Sequence, residues 1–186
     1  MLLNNDTEVI TPDWLEKMLA YAQREDVGCV GCKLLYPDNT IQHAGVVLGL
    51  GSVAGHPYQG LPRYYRGYSS NLLVTRNVSA VTGACLMVRT AYYDQVGGLD
   101  EEFAVAFNDV DFCLKLLELC KNNLLVPYVE LYHYESKSRG ADDSFKKQKT
   151  LGKENAMFLK RWAKYMNDPF YNPNLSRELP GYGVKK

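Results

Sequence analysis

Hydrophobic and polar positions along the chain predict strands and helices in alternation. Continuous apolar runs predict buried strands, and apolar residues that recur every three or four positions predict helices. The strands are predicted at residues 2–3, 27–35, 41–48, 78–89 and 124–132, and the helices at 12–22, 90–96, 109–121 and 153–165. This order is typical of an α/β protein with helices packed on a sheet.

Local signals refine several of these elements. Thr11 followed by Pro12 predicts a helix N-cap, and Thr90 predicts a second one. Gly83 interrupts an apolar run and predicts a close approach by neighbouring backbone. Pro127 cannot donate to a strand ladder, so it predicts either an edge position or a bulge in its strand.

Composition narrows the class of protein. The 186 residues are 46% apolar and 23% charged, which suits one globular domain, and Lys plus Arg balance Asp plus Glu at 21 each. This balance gives no electrostatic reason to expect nucleic-acid binding. Apolar runs fall short of the roughly 20 residues that span a bilayer, and no signal peptide is visible. Five cysteines in apolar contexts predict reduced thiols and a cytoplasmic protein, with peripheral membrane contact left open.

Two segments lack a periodic pattern. Residues 49–70 are rich in Gly and aromatic residues, including Tyr58, Tyr64, Tyr65 and Tyr68. Such a long irregular loop is typical of a functional segment, and its rings suit either a sugar face or half-buried packing. The last twenty residues contain several prolines and predict an extended strap without packing of its own.

Three polar clusters carry candidate chemistry. Asn4-Asn5-Asp6 follows the first apolar strand, and oxygen ligands at a strand end suit a divalent cation that carries phosphates. Asn108 and Asp109 begin the clearest helix, where helix capping is the structural alternative to catalysis. His133 follows the last strand and begins a polar loop, although a lone histidine is often structural.

In this order and spacing, the motifs resemble those of family 2 glycosyltransferases with the GT-A fold, especially bacterial O-antigen and rhamnosyl members. The resemblance covers residues 2–175. It implies a truncated, Rossmann-like GT-A domain at residues 1–175, an extended tail at 176–186, and a nucleotide-binding half that would precede Met1.

The resemblance also implies roles for individual residues. Asp6 and His133 match the ligands of Mn²⁺ or Mg²⁺, and Asp109 matches the general base. Asn108 stands where the family has glutamate. Arg139 is expected either to pair with the diphosphate or to form a surface salt bridge, and Asp111 either to orient the helix start or to bind acceptor hydroxyls. The residues expected to bind donor or acceptor are Asn4, Asn5, Gly83, Ala84, Asn108, Asp111 and Arg139.

The implied function is inverting transfer of a sugar from a nucleotide-diphosphate sugar to a saccharide or lipid-linked acceptor, in bacterial surface polysaccharide synthesis. The alternative is a non-catalytic fragment that binds acceptor or forms a homo-oligomer through its truncated face. A metal-dependent hydrolase is a third interpretation. Cys29 and Cys32 form a Cys-x-x-Cys pair, but their position in a strand disfavours a zinc site, and His43 receives no role.

Overall fold

The computed structural model describes residues 1–134 and 144–185 of the chain, and of residues 144–149 it describes the backbone alone. These described residues contain four α-helices: α1 (Trp14–Ala22), α2 (Thr90–Gln95), α3 (Asn108–Glu118) and α4 (Ser144–Arg161). The strands are β1 (Leu2–Leu3), β2 (Thr7–Val9), β3 (Val27–Leu35), β4 (Ile41–His43), β5 (Val47–Leu48), β6 (Ala54–Gly55), β7 (Arg76–Asn77), β8 (Cys85–Val88) and β9 (Asn122–His133).

The main sheet is mixed, with the order β1-β8-β3-β9-β2. Its two central strands, β3 and β9, run parallel, and β1, β2, β4, β7 and β8 pair with their neighbours antiparallel. All nine residues of β3 are buried, as expected for a central strand covered on both faces. The prediction of an α/β fold with a mixed sheet and flanking helices is confirmed.

The core lies on both faces of the sheet because side chains alternate along β3. Cys29 belongs to the cluster that contains Phe112 of α3, whereas Val30 belongs to the cluster that contains Met18 of α1. Cys32 lies with Val30, so the two thiols of the Cys-x-x-Cys pair lie on opposite faces and do not converge on one ion.

The thiols are free, as predicted, but their surroundings differ. Cys29 Sγ lies 3.6 Å from Cys113 Sγ, and burial raises the pKa of the Cys29 thiol. Cys120 is exposed, which corrects the expectation that every cysteine has an apolar environment.

Two predicted strands are shorter than expected. The run at 41–48 divides into β4 and β5 because Gly45 has a φ of +91°. The run at 78–89 keeps only β8 as a strand, and residues 78–84 form a loop that is buried except at Thr82 and Gly83, which are half-buried. The tight approach occurs at Gly31, where an added Cβ would lie 2.5 Å from Val81 Cβ, whereas at Gly83 it would make an ordinary contact of 3.5 Å with Asp109.

The predicted caps are wrong, and Pro127 lies in a bulge. Thr11 Oγ1 accepts the N–H of Glu130 at 3.0 Å instead of capping α1, and Thr90 is already helical. The β3–β9 register jumps from Cys32–Val126 to Lys33–Glu130, which leaves the segment around Pro127 as a bulge in an internal strand. The edge alternative is therefore wrong.

The irregular loop and the C-terminal segment pack against each other. Tyr58 is buried and stacks on Tyr182 with 4.8 Å between ring centroids, whereas Tyr64 is 83% exposed. Tyr171 and Leu175 form a small buried cluster. The C-terminal segment therefore contributes to the core, contrary to the expected unpacked strap, and the domain boundary at residue 175 stays a prediction. Among the described residues, no helix is long and apolar enough to cross a membrane.

Candidate active site

A cleft of about 830 Å³ lies at one edge of the main sheet. β1 and β9 both run parallel to β3, so their carboxyl ends reach the same edge, which is where open α/β sheets bind ligands. The cleft brings together most of the predicted site residues, namely Asn4, Asn5, Asp6, Gly83, Ala84, Asn108, Asp109 and His133.

Asp6 and His133 are adjacent because β2 pairs with the end of β9. Thr7 is opposite His133 in this antiparallel pair, and the N–H of Tyr134 donates to the carbonyl of Asp6 at 2.9 Å. The two side chains consequently meet, with 3.2 Å between Asp6 Oδ1 and His133 Nε2.

Gln42 fixes the tautomer of His133. Gln42 Nε2 donates to the carbonyl of His133 at 3.3 Å, which directs Gln42 Oε1 to His133 Nδ1 at 2.7 Å. An amide oxygen only accepts, so Nδ1 carries the hydrogen, and the lone pair of a neutral His133 lies at Nε2. Asn4 Nδ2 also lies 3.2 Å from this nitrogen.

The Asp6–His133 pair fits a cation. Within the described part of the chain, buried Asp6 Oδ1 has no hydrogen-bond partner, and it faces Nε2 of His133. A divalent cation bound by both atoms would satisfy them. No cluster of three His, Cys, Asp or Glu side chains forms within residues 1–134 and 150–185. A metal ion held here would complete its shell with phosphate oxygens and water, as Mg²⁺ does in many phosphate sites.

Asp109 is fixed at the start of α3 by backbone donors. Val110 N–H donates to Asp109 Oδ1 and Gly83 N–H donates to Oδ2, each at 2.8 Å. Asn108 Oδ1 accepts the N–H of Asp109 at 2.7 Å, which gives one amide of the first helical turn a partner. The carboxylate of Asp109 therefore has a set direction within the cleft lining.

Asp111 does not line the cleft. Its side chain is fully buried, and its Oδ1 accepts from Arg161 Nη1 and from Trp162 Nε1, each at 2.9 Å. Lys115 Nζ lies 2.9 Å from its other oxygen. The contacts favour the structural alternative, in which Asp111 ties α3 to α4, over acceptor binding. Arg139 lies outside the described residues.

Three residues at the site were given no role from the sequence: Gln42, His56 and Glu154. Gln42 lies next to His43 in a fully buried strand, and such a polar pair was the available signal. His56 lines the cleft from the irregular loop. Buried Glu154 of α4 accepts the N–H groups of Val105 and Ala106 at 3.0 and 2.8 Å, and so holds the wall before Asp109.

Comparison with known proteins identifies the class that this fold and cleft define. Residues 1–150 match the family described as Glycosyltransferase like family 2. The chain therefore belongs to the family 2 glycosyltransferases.

Individual relatives agree with this assignment. The chain is 51% identical over 179 residues to the protein y4gI of Sinorhizobium fredii, a match that covers 95% of this chain and 20% of that protein. It is 38% identical over 190 residues to the O-antigen biosynthesis protein RfbC of Myxococcus xanthus, which covers 100% of this chain and 14% of that protein. The chain thus spans a fifth or less of the length of these relatives.

A solved structure supports the fold. The crystal structure of GalNAc-T7 with UDP, GalNAc and Mn²⁺ matches with a TM-score of 0.53 and 12% identity, over 91% of this chain and 41% of that chain. At this identity the likeness concerns the fold alone, and it agrees with the GT-A architecture that the sequence implied.

Proposed function

We propose that this domain transfers a sugar from a nucleotide-diphosphate sugar to a saccharide or lipid-linked acceptor, with inversion, in the synthesis of a bacterial surface polysaccharide. The observation that carries the proposal is the meeting of the Asp6–His133 pair and the fixed Asp109 carboxylate in one cleft. The name of the Myxococcus xanthus relative supports the polysaccharide context.

Asp109 would act as the general base. An acceptor hydroxyl becomes a sufficient nucleophile when a carboxylate removes its proton as attack proceeds. Gly83 and Val110 hold both oxygens of Asp109 without neutralising them, because backbone N–H groups do not transfer their protons. Direct attack on the anomeric carbon from the side opposite the leaving diphosphate inverts that centre, and the proton remains on Asp109.

Asp6 and His133 would hold Mn²⁺ or Mg²⁺. Such an ion would offset the charge of the departing diphosphate. Asn4 and Asn5 line the cleft beside Asp6, and the N–H of Asn4 donates to the carbonyl of Ala84 at 2.9 Å. These asparagines would position the donor, and Arg139 keeps its proposed role toward the diphosphate. The ligands in the GalNAc-T7 structure, UDP and Mn²⁺, are consistent with this assignment.

A location follows from the proposed substrates. Nucleotide sugars are made in the cytoplasm, so we place the reaction there, with peripheral membrane contact where the acceptor is lipid-linked.

Calorimetry tests the donor site directly. UDP and dTDP are titrated into the chain with and without Mn²⁺, and again into Asp6→Ala. Manganese-dependent binding that the substitution removes is the expected result, because Asp6 supplies the carboxylate that lies 3.2 Å from His133 Nε2. Absence of nucleotide binding under every condition would support the alternative, an acceptor-binding or self-associating fragment, and sedimentation would then measure self-association.

A further inference from the structure

The two remaining histidines, His43 and His56, form a pair beside the cleft. His43 is 1% exposed, and its Nδ1 lies 2.9 Å from Nδ1 of His56. The rings meet edge to face, with 5.0 Å between centroids and 73° between planes. His56 lines the cleft, whereas His43 lies behind it.

The hydrogen bonds of this pair have a fixed direction. The N–H groups of Gly45 and Thr82 point at His43 Nε2, at 3.2 and 3.4 Å. Backbone amides only donate, so Nε2 accepts and the hydrogen of a neutral His43 lies on Nδ1. Burial, reinforced by the nearby His56, Arg76 and His133, lowers the pKa of His43 well below 6.5 and keeps its ring neutral.

The position of the hydrogen on His43 determines the tautomer of His56. Because His43 Nδ1–H donates to His56 Nδ1, that nitrogen accepts, and the hydrogen of His56 lies on Nε2. His56 is then a hydrogen-bond donor at Nε2. It cannot serve as a base through Nδ1, since a second hydrogen there would meet the one on His43.

We propose that His56 binds the acceptor saccharide by donating Nε2–H to one of its oxygens, and that His43 is the positioning residue that sets this tautomer. The inference rests on the proposed function. A neutral N–H donor is complementary to a hydroxyl, ring or N-acetyl oxygen of a sugar.

The connections of His43 favour the acceptor over the donor. Thr82, which binds His43, is followed by Gly83, which binds the Asp109 carboxylate. The histidine pair and the proposed base are therefore fixed to the same short loop. The Asp6–His133 pair is oriented by Gln42, the residue before His43 on β4.

Nuclear magnetic resonance tests the two tautomers without an activity assay. The chain has three histidines, so the long-range ¹H–¹⁵N spectrum of the histidine-labelled protein can be assigned with single substitutions. At pH 7.5 we expect Nδ1–H on His43 and Nε2–H on His56. The Nδ1–H tautomer on His56, or a protonated His56 ring, would overturn the inference.

Binding of simple glycosides tests the role of His56 as a hydrogen-bond donor. The probes are the octyl glycosides of glucose, galactose, N-acetylglucosamine and rhamnose, added to the chain with Mn²⁺ and UDP already present. At least one is expected to shift the His56 resonance, and His56→Ala should weaken its binding about tenfold, the worth of one hydrogen bond. His56→Gln, which keeps an N–H donor near the position of Nε2, should recover part of the affinity.

The controls separate this inference from the donor site. His56→Ala is expected to leave manganese-dependent UDP binding unchanged. If the substitution weakens UDP binding and spares every glycoside, or if no glycoside shifts His56, the acceptor role is wrong even though the donor site stands. Loss of UDP binding in the unsubstituted chain would instead contradict the proposed function, while the tautomer spectrum would still be readable.

His43 has a distinguishing signature. His43→Ala removes the tautomer constraint and also the acceptor for Thr82 N–H, so it should weaken glycoside binding as much as His56→Ala does. The double substitution should then cost no more than either single one, because both act through one donor. Additive losses would show that His43 contributes only to packing, and would overturn its positioning role.

Discussion

At the scale of single residues, His133 and Asp109 are each oriented in the cleft by an uncharged partner. Gln42 sets the ring of His133, and the N–H of Gly83 sets the carboxylate of Asp109. The sequence pointed to Asp6, Asp109 and His133 because each stands at the end of a periodic segment. Gln42 and Glu154 were not predicted, because their roles depend on contacts with residues 91 and 49 positions away.

Asp109→Asn tests the proposed base. The amide keeps the size of the side chain but cannot take a proton, so transfer should slow by about 100- to 10,000-fold. Nucleotide binding in the presence of Mn²⁺ should persist, because Asp109 does not contact the Asp6–His133 pair. The comparison is made by transfer kinetics and calorimetry on the same preparations. A variant that retains full turnover would exclude Asp109 as the base.

Asp111→Ala tests the structural alternative for the neighbouring carboxylate. Removing a fully buried partner of Arg161 should lower the free energy of unfolding by about 3 kcal/mol, the lower end for a broken buried pair, because Arg161 keeps Asp100 at 2.6 Å. Glu118→Ala removes a 40% exposed partner of Lys164 and should cost about 0–1 kcal/mol. Urea unfolding measures both. Equal costs would contradict the buried role of Asp111.

At the scale of elements, the apolar run at 78–84 shows why burial does not define a strand. The segment is buried as a loop, which requires partners for its backbone groups. Asn123 supplies two of them, because its side chain donates to the carbonyl of Ser79 and its own carbonyl accepts the N–H of Val78. A hydrophobic pattern carries no sign of such a distant partner, so the sequence predicted a strand.

The helices and the central strands were easier to predict. α1, α3, β3 and β9 have long periodic or continuous apolar patterns. β3 forms at its expected limits, and the limits of α1 and β9 differ from the expected ones by at most two residues. α3 ends at Glu118, three residues earlier than expected. Their apolar patterns were informative because the apolar side chains of these elements pack directly against one another. The bulge at Pro127 was also foreseen as one of two options, because a missing N–H excludes regular pairing.

Gly31→Ala tests the contact between β3 and the buried loop. The added methyl would lie 2.5 Å from Val81 Cβ in a packed core, so we expect a loss of about 1–3 kcal/mol in the free energy of unfolding. Gly152→Ala is the matched control, because nothing lies within 4 Å of the new Cβ on α4. It should stabilise the protein by about 0.5–1 kcal/mol through helix propensity. Thermal and urea unfolding measure the stability of both variants. A Gly31→Ala variant as stable as the unsubstituted protein would contradict this packing.

At the scale of the whole molecule, the C-terminal segment fixes the loop that carries His56. The N–H of Gly51 donates to the carbonyl of Arg177 at 2.7 Å, and the N–H of Tyr58 donates to that of Pro180 at 2.8 Å. Asp168 also accepts the N–H of Leu48 at 2.8 Å, and burial raises the pKa of its carboxyl group. One wall of the cleft thus depends on residues near the end of the chain.

Deletion of residues 176–186 tests this dependence. The loss of both backbone bonds and of the Tyr58–Tyr182 stack should lower the melting temperature and speed amide exchange at Gly51 and Tyr58. Exchange within β3 should change little under conditions where the protein stays folded. Removing only residues 185–186 serves as the control. Unchanged exchange at both amides would instead support a separable tail beyond residue 175.

The pairing of β2 with β9 has a consequence for how an ion would be acquired. The ladder already brings residue 6 beside residue 133, so the chain has lost the entropy of closing this long loop before any ion arrives. Zinc fingers, by contrast, need their metal in order to fold. Here the proposed ligand pair is preorganised, so a chelator should remove a bound ion without unfolding the sheet.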